Sequence, residues 1–186
     1  MKVYLFRHGE TPGNREKRYV GSTEESLTKE GRQALEARLA PEVDWVYVSP
    51  RKRCVETADI LFPKVGRTVV LGFAECDFGA FEYKNYLELS GDPDYQRWID
   101  SGGVIGFPGG ESRAVFQERC VQAFWNVQRD ARKRQAQAIA LVVHGGTIMA
   151  LLSRIGTPKR DYFDWQVENG TCIEAMFEGG RLLVLT

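Results

Sequence analysis

Two histidines are all that this 186-residue chain contains, and both occupy the same kind of place. His8 follows the apolar run KVYLF and Arg7, His144 follows AIALVV, and each is succeeded by glycine. If neighbouring parallel strands carry them, both imidazoles project from one edge of a sheet, where α/β proteins collect their ligands. Arg7 adjoins the first histidine, and Arg51, Lys52 and Arg53 open the segment after a second apolar run, DWVYVS. Guanidinium groups fork onto phosphate oxygens, and a helix N-terminus adds backbone donors and a favourable dipole. A single strand-end histidine is more often a hydrogen-bonded structural residue, and RKR alone reads as a solvated basic surface. The pair of histidines together with Arg7 shifts both readings towards a phosphate pocket.

The elements that must position these residues alternate. Residues 2–6 read as a strand entering the turn-rich RHGETPGN, and SLTKEGRQALEARLA as a helix capped by Thr28. Residues 44–49 form a buried strand, after which Ser49 and Pro50 make a helix start running to about Phe62. Residues 67–71 are a further strand, YKNYLELS a helix, and FPGGES a loop opening a longer helix with Phe116, Cys120, Phe124, Val127 and Ala131 on one stripe. AIALVVH is a buried strand running into a turn and the helix GGTIMALLSRIG; TCIEAMFEGGRLLVLT closes the chain as two strands about a Gly-Gly turn. The alternation predicts an α/β three-layer sandwich, a mostly parallel central sheet flanked by helices with one antiparallel edge element. Residues 1–186 make a single domain, and SGGVIGFPGGES is a surface loop rather than a linker.

Composition narrows the function. Twenty-five basic side chains balance 25 acidic ones, so no global field draws nucleic acid polymers or an anionic membrane, and a phosphate-bearing partner must be held locally. No apolar run approaches the ~20 residues that span a bilayer, and a cytoplasmic protein is expected. Cys54, Cys76, Cys120 and Cys172 form no C-x-x-C pair, which fits reduced thiols. Two histidines without H-x-x-x-H spacing leave too few ligands for a zinc hydrolase, and no G-x-x-x-x-G-K-[ST] loop occurs. No metal or cofactor is expected. The partner is a small phosphomonoester, bound by a monomer or homodimer.

RHGET followed by Asn14 resembles the signature of the histidine phosphatase superfamily, also called phosphoglycerate mutase-like. SLTKEGRQAL, SPRKRCVETA, FAECDFGAFE, PGGES and VVHGGTIMALL are similar to further family motifs in the same order along nearly the whole chain. The resemblance implies that His8 is the nucleophile and forms a phosphohistidine, that Arg7, Arg53 and His144 clamp the phosphate, and that Asn14 and the backbone of Gly145 stand near its oxygens. It makes Glu75 the general acid, with Glu82 the competing carboxylate. The chain departs from the pattern at Arg51, where the family often has Leu, at Cys54, where Ala is common, and at Tyr83, where Gly is frequent. Cys54 and Cys76 are read either as oxidant-sensitive or, preferably, as small buried apolar residues.

Mutases of this superfamily carry longer insertions that keep water from the phosphoenzyme, and this chain has no room for them, so hydrolysis is expected. GSTEESLTKEG and DPDYQRWIDS resemble the α-ribazole phosphatase type, which acts late in cobalamin synthesis on α-ribazole 5'-phosphate. The alternatives are a cofactor-dependent phosphoglycerate mutase and a catalytically silent domain that binds a phosphorylated ligand. Residues 20–26, 81–95 and 104–107 are expected to select the alcohol.

Overall fold

Three apolar runs pair in parallel to make the centre of the sheet: β1 (Lys2–Arg7), β2 (Trp45–Val48) and β4 (Ala138–Val143). With β3 (Arg67–Val69), β5 (Gly156–Thr157), β6 (Cys172–Glu178) and β7 (Arg181–Val184), a computed structural model describing residues 1–185 shows a seven-stranded sheet in the order β3-β2-β4-β1-β6-β7-β5. Thr186, the last residue of the C-terminal run, lies outside the described residues. The antiparallel element expected from the terminal hairpin is β6, which runs against both β1 and β7. Its turn is made by Gly179 and Gly180 at φ of 55° and 78°, the left-handed pair that a two-residue hairpin loop needs.

Strand periodicity sorts the core into two layers. Val3, Leu5, Ile139, Leu141 and Val143 face α5 (Arg113–Lys133) and α6 (Gly145–Ile155), whereas Phe6, Val46, Val48, Ala140 and Val142 face the side of α2 (Lys29–Glu36) and α3 (Lys52–Leu61). Five of the six β4 residues are buried, because helices cover both faces of the strand. Each large aliphatic side chain sealed there contributes about 1.5–3 kcal/mol relative to exposure. The stripe expected on the long helix is buried at every position, Phe116, Cys120, Phe124, Val127 and Ala131, and Thr28 caps α2 by accepting from Gly31 N at 2.9 Å.

Local chemistry overrode the sequence reading in three places. Ser49 does not cap α3; the capping position is Arg51, without a side-chain cap, and the Ser49 hydroxyl turns instead to His144. YKNYLELS forms turns rather than a helix, since Asn85 Oδ1 accepts from the backbone N–H of Leu87 and Glu88 at 3.0 and 3.1 Å and so competes with helical bonding. The helix falls later, at α4 (Pro93–Asp100), where Asp92 caps and Pro93 occupies the first position. β3 stops at Val69, and Leu71–Phe73 winds into a 3-10 turn. The one-turn helix α1 (Pro12–Arg15) completes the set.

Candidate active site

The sheet delivers the two histidines together. Arg7 is in register with Val143, so the next residue on each strand is His8 and His144, and His8 N–H continues the ladder to Val143 O at 2.9 Å. Their rings meet edge to face, centroids 5.2 Å apart. His8 Nδ1 lies 2.7 Å from Gly9 O; a carbonyl only accepts, so Nδ1 carries the proton and Nε2 keeps its lone pair. Burial and the nearby Arg53 and Arg7 charges hold the His8 pKa well below the ordinary histidine range, which makes it a neutral imidazole.

Arg53 is fully buried and bonds no carboxylate among the described residues. Its Nη1 donates to Thr23 O and its Nη2 to Val20 O and Gly21 O, at 2.9 to 3.1 Å, while Nε donates to His144 Nδ1 at 3.3 Å. An unneutralised guanidinium thus sits behind both histidines. Burial, then Arg53, likewise lowers the His144 pKa. Glu82 fastens the same loop from the other side, accepting from the backbone of Gly21 and Thr23 and from the Thr23 hydroxyl.

In front of this floor opens a cavity of about 260 Å³, below the ~300–1,000 Å³ usual for ligand pockets and suited to a small ligand. His8, Arg7, Asn14, Glu75, Gly145 and Gly146 line one end. Arg7 Nη1 donates to Val167 O at 2.6 Å, but its Nε is buried without a partner, the donor an anion would satisfy. Asn14 Oδ1 accepts from Thr11 N, Thr11 Oγ1 and Asn169 Nδ2, which leaves the Asn14 amide N–H groups free among the described residues. Glu75 accepts from Cys76 N at 2.9 Å and from Gly146 N, at the start of α6, at 3.2 Å. Desolvation raises its pKa against those hydrogen bonds and the arginines, so the carboxyl holds a proton above the usual carboxylate range. Gly146 permits this approach: a Cβ there would lie 2.3 Å from Glu75 Oε1.

Tyr19, Phe78, Trp98, Phe107 and Phe163 give the cavity an aromatic lining, joined by Tyr162, whose hydroxyl lies 3.5 Å from Gly146 O, and Arg113 lies over the Tyr162 and Phe163 rings. Of the segments expected to select the alcohol, 20–26 contributes Val20 and 104–107 contributes Phe107, while 81–95 stays behind the wall, where Phe81 and Tyr95 pack on Tyr19. Trp98, Arg113 and Tyr162 lie outside the segments expected to select the alcohol, and each reaches the cavity through the packing of α4, α5 and the 3-10 turn Tyr162–Trp165.

The expected site residues therefore divide. His8, Glu75, Arg7, Asn14 and Gly145 form the cavity wall, and Arg53 and His144 lie directly behind it. Glu82 is pinned away from the cavity. Cys54 and Cys76 are both buried, Cys54 against the His144 ring and Cys76 in the cavity wall, and burial raises both thiol pKa values, that of Cys54 up to about 12. Among the described residues no three His, Cys, Asp or Glu side chains cluster to hold a metal ion, and no helix is long and apolar enough to cross a membrane.

A family model described as histidine phosphatase superfamily (branch 1) matches residues 3–186. Phosphoglycerate mutase-like protein 4 of Arabidopsis thaliana is 33% identical over 164 residues, covering 82% of this chain and 70% of that protein. The structure of α-ribazole phosphatase from Shigella flexneri superposes with a TM-score of 0.85 at 25% identity, covering 100% of this chain and 95% of the other. Phosphoglycerate mutase from Thermus thermophilus superposes with a TM-score of 0.76 at 28% identity, covering 100% and 97%.

Proposed function

Because the chain belongs to the histidine phosphatase superfamily and is a phosphoric monoester hydrolase, we propose that it works through a phosphohistidine on His8 and needs no metal ion. The observation that carries this reading is the His8 ring, neutral, tied through Nδ1 to Gly9 O, and lining the cavity with an unprotonated Nε2. Nε2 attacks phosphorus as the P–O ester bond breaks, and the Glu75 carboxyl gives its proton to the departing alkoxide. The carboxylate so formed takes a proton from water, whose oxygen attacks phosphorus; the P–N bond breaks, inorganic phosphate leaves and His8 is restored. Arg7, Asn14 and the N–H group of Gly145 hold the equatorial oxygens. Arg53 and His144 support the same charge from behind, the electrophilic role that metal ions play elsewhere.

The substrate is a small phosphorylated metabolite. α-Ribazole 5'-phosphate is the specific candidate, favoured by the extent of the superposition on α-ribazole phosphatase and by an aromatic wall against which a planar group can stack; it would place the enzyme in the cytoplasm and in cobalamin synthesis. The mutase named among the similar structures supports phosphoglycerate mutase as a second reading. The test is a panel of phosphomonoesters, including α-ribazole 5'-phosphate, 3-phosphoglycerate and nucleoside monophosphates, assayed after exhaustive chelation. Hydrolysis that persists supports the proposal, and loss restored by a divalent ion overturns it. With 2,3-bisphosphoglycerate present, a mutase rate above the hydrolysis rate would favour the second reading.

A further inference from the structure

The chain's two histidines face unlike partners. His8 Nδ1 is held by a carbonyl oxygen, which cannot donate. His144 Nδ1 is held by the Nε of Arg53, which cannot accept. His144 is fully buried and, lowered in pKa, neutral, so its one proton must be on Nε2, and Nε2 lies 2.6 Å from Ser49 Oγ. Ser49 is itself fully buried at the end of β2, whose pairing with β4 sets Val48 opposite Val142 and brings the hydroxyl level with the ring. Cys54 Sγ is 3.7 Å from Nδ1 and 3.5 Å from Nε2, nearly equidistant, so it restricts the ring without choosing a nitrogen.

We infer that Ser49 is a positioning residue: Arg53, which only donates, sets the Nε2-protonated tautomer of His144, and Ser49 Oγ, by accepting that proton, holds the ring where its bare Nδ1 orients Arg53 behind the nucleophile. The two histidines consequently carry their protons on opposite nitrogens, His8 on Nδ1 and His144 on Nε2. Ser49 acts through His144 and Arg53, and its consequence for turnover rests on the phosphatase reading above. The tautomers do not rest on it.

Nitrogen-15 NMR of the imidazoles is the test, and two histidines make the spectrum assignable with His8→Ala alone. In the wild-type protein the His8 signals should report a protonated Nδ1 and those of His144 a protonated Nε2; a His144 proton on Nδ1 overturns the inference. Ser49→Ala should move the His144 Nε2 resonance away from its hydrogen-bonded position and lower kcat about 10- to 100-fold with KM changed less than threefold, while Ser49→Thr restores both the resonance and most of kcat. An unchanged Nε2 resonance in Ser49→Ala also overturns it, as does a loss confined to KM. If the tautomers are as stated and no phosphomonoester is turned over, the phosphatase reading fails and the assignment of Ser49 to His144 stands.

Discussion

The end of β1 and the end of β4 share a local pattern, an apolar strand, a histidine and a glycine, yet the two histidines live in different environments. His8 reaches the cavity with one nitrogen tied to its own neighbour's carbonyl and the other without a partner among the described residues. His144 is shut behind it with both nitrogens engaged, by Arg53 and by Ser49. Sequence context thus places both rings at one sheet edge, and tertiary neighbours divide their work. A ring with a bare nitrogen at a cavity is fit for nucleophilic attack, whereas a ring bonded at both nitrogens can only orient and transmit charge.

Substitution should expose that division. His8→Ala is expected to abolish turnover, because it removes the imidazole that lines the cavity with a nitrogen free among the described residues. His144→Ala should retain a measurable rate, reduced by roughly two to three decades, the usual loss when one charge-stabilising contact is removed. Steady-state assays on both variants decide the matter; equal residual rates would erase the distinction between the two strand ends.

A smaller effect, dependent on the leaving group, is expected at Glu75. Glu75→Gln should slow hydrolysis of alkyl phosphates far more than of p-nitrophenyl phosphate, whose anion departs without a proton. Equal losses on both substrates would remove Glu75 from the acid role. For the wild-type enzyme, the raised Glu75 pKa means that kcat/KM for alkyl esters should fall as pH rises through it, as the acid form is lost.

Smallest in activity terms is the dependence of stability on pH. Both histidines have folded pKa values below their unfolded value of about 6.5, so the unfolded chain binds more protons below that pH. Their contribution is present above ~6.5 and is lost as pH falls towards the folded values, with a limiting slope of about 1.4 kcal/mol per pH unit for each ring. Glu75 acts in the opposite sense, its contribution being lost as pH rises through its raised value. Urea unfolding between pH 7 and 5 should show His144→Asn with a shallower loss than wild type; parallel curves would mean that His144 is not held neutral.

Much of this site is legible in the sequence because its signals are local. His8 and His144 each end a run whose burial is written in its residues, and Glu75 and Asn14 stand in motifs that resemble a known family. What was not legible depends on who arrives from elsewhere. Ser49 before Pro50 looks like a helix cap, and only the β2–β4 pairing reveals a closer partner for its hydroxyl. The resemblance singles out the backbone of Gly145, but nothing in the sequence marks Gly146 until the Glu75 carboxyl is found where its Cβ would be. YKNYLELS has helical composition, but Asn85 captures the backbone N–H groups ahead of it, and the helix that follows, α4, supplies Trp98 to the cavity's aromatic wall.

The most direct test of the central claim is a rapid quench of the enzyme with phosphorus-labelled substrate, followed by acid and alkali treatment of the protein and mapping of the label. The account predicts a phosphoramidate on His8 at Nε2, stable to alkali, broken by acid, and absent from His8→Ala. Label on another residue, or an adduct of the same lability persisting in His8→Ala, would contradict it.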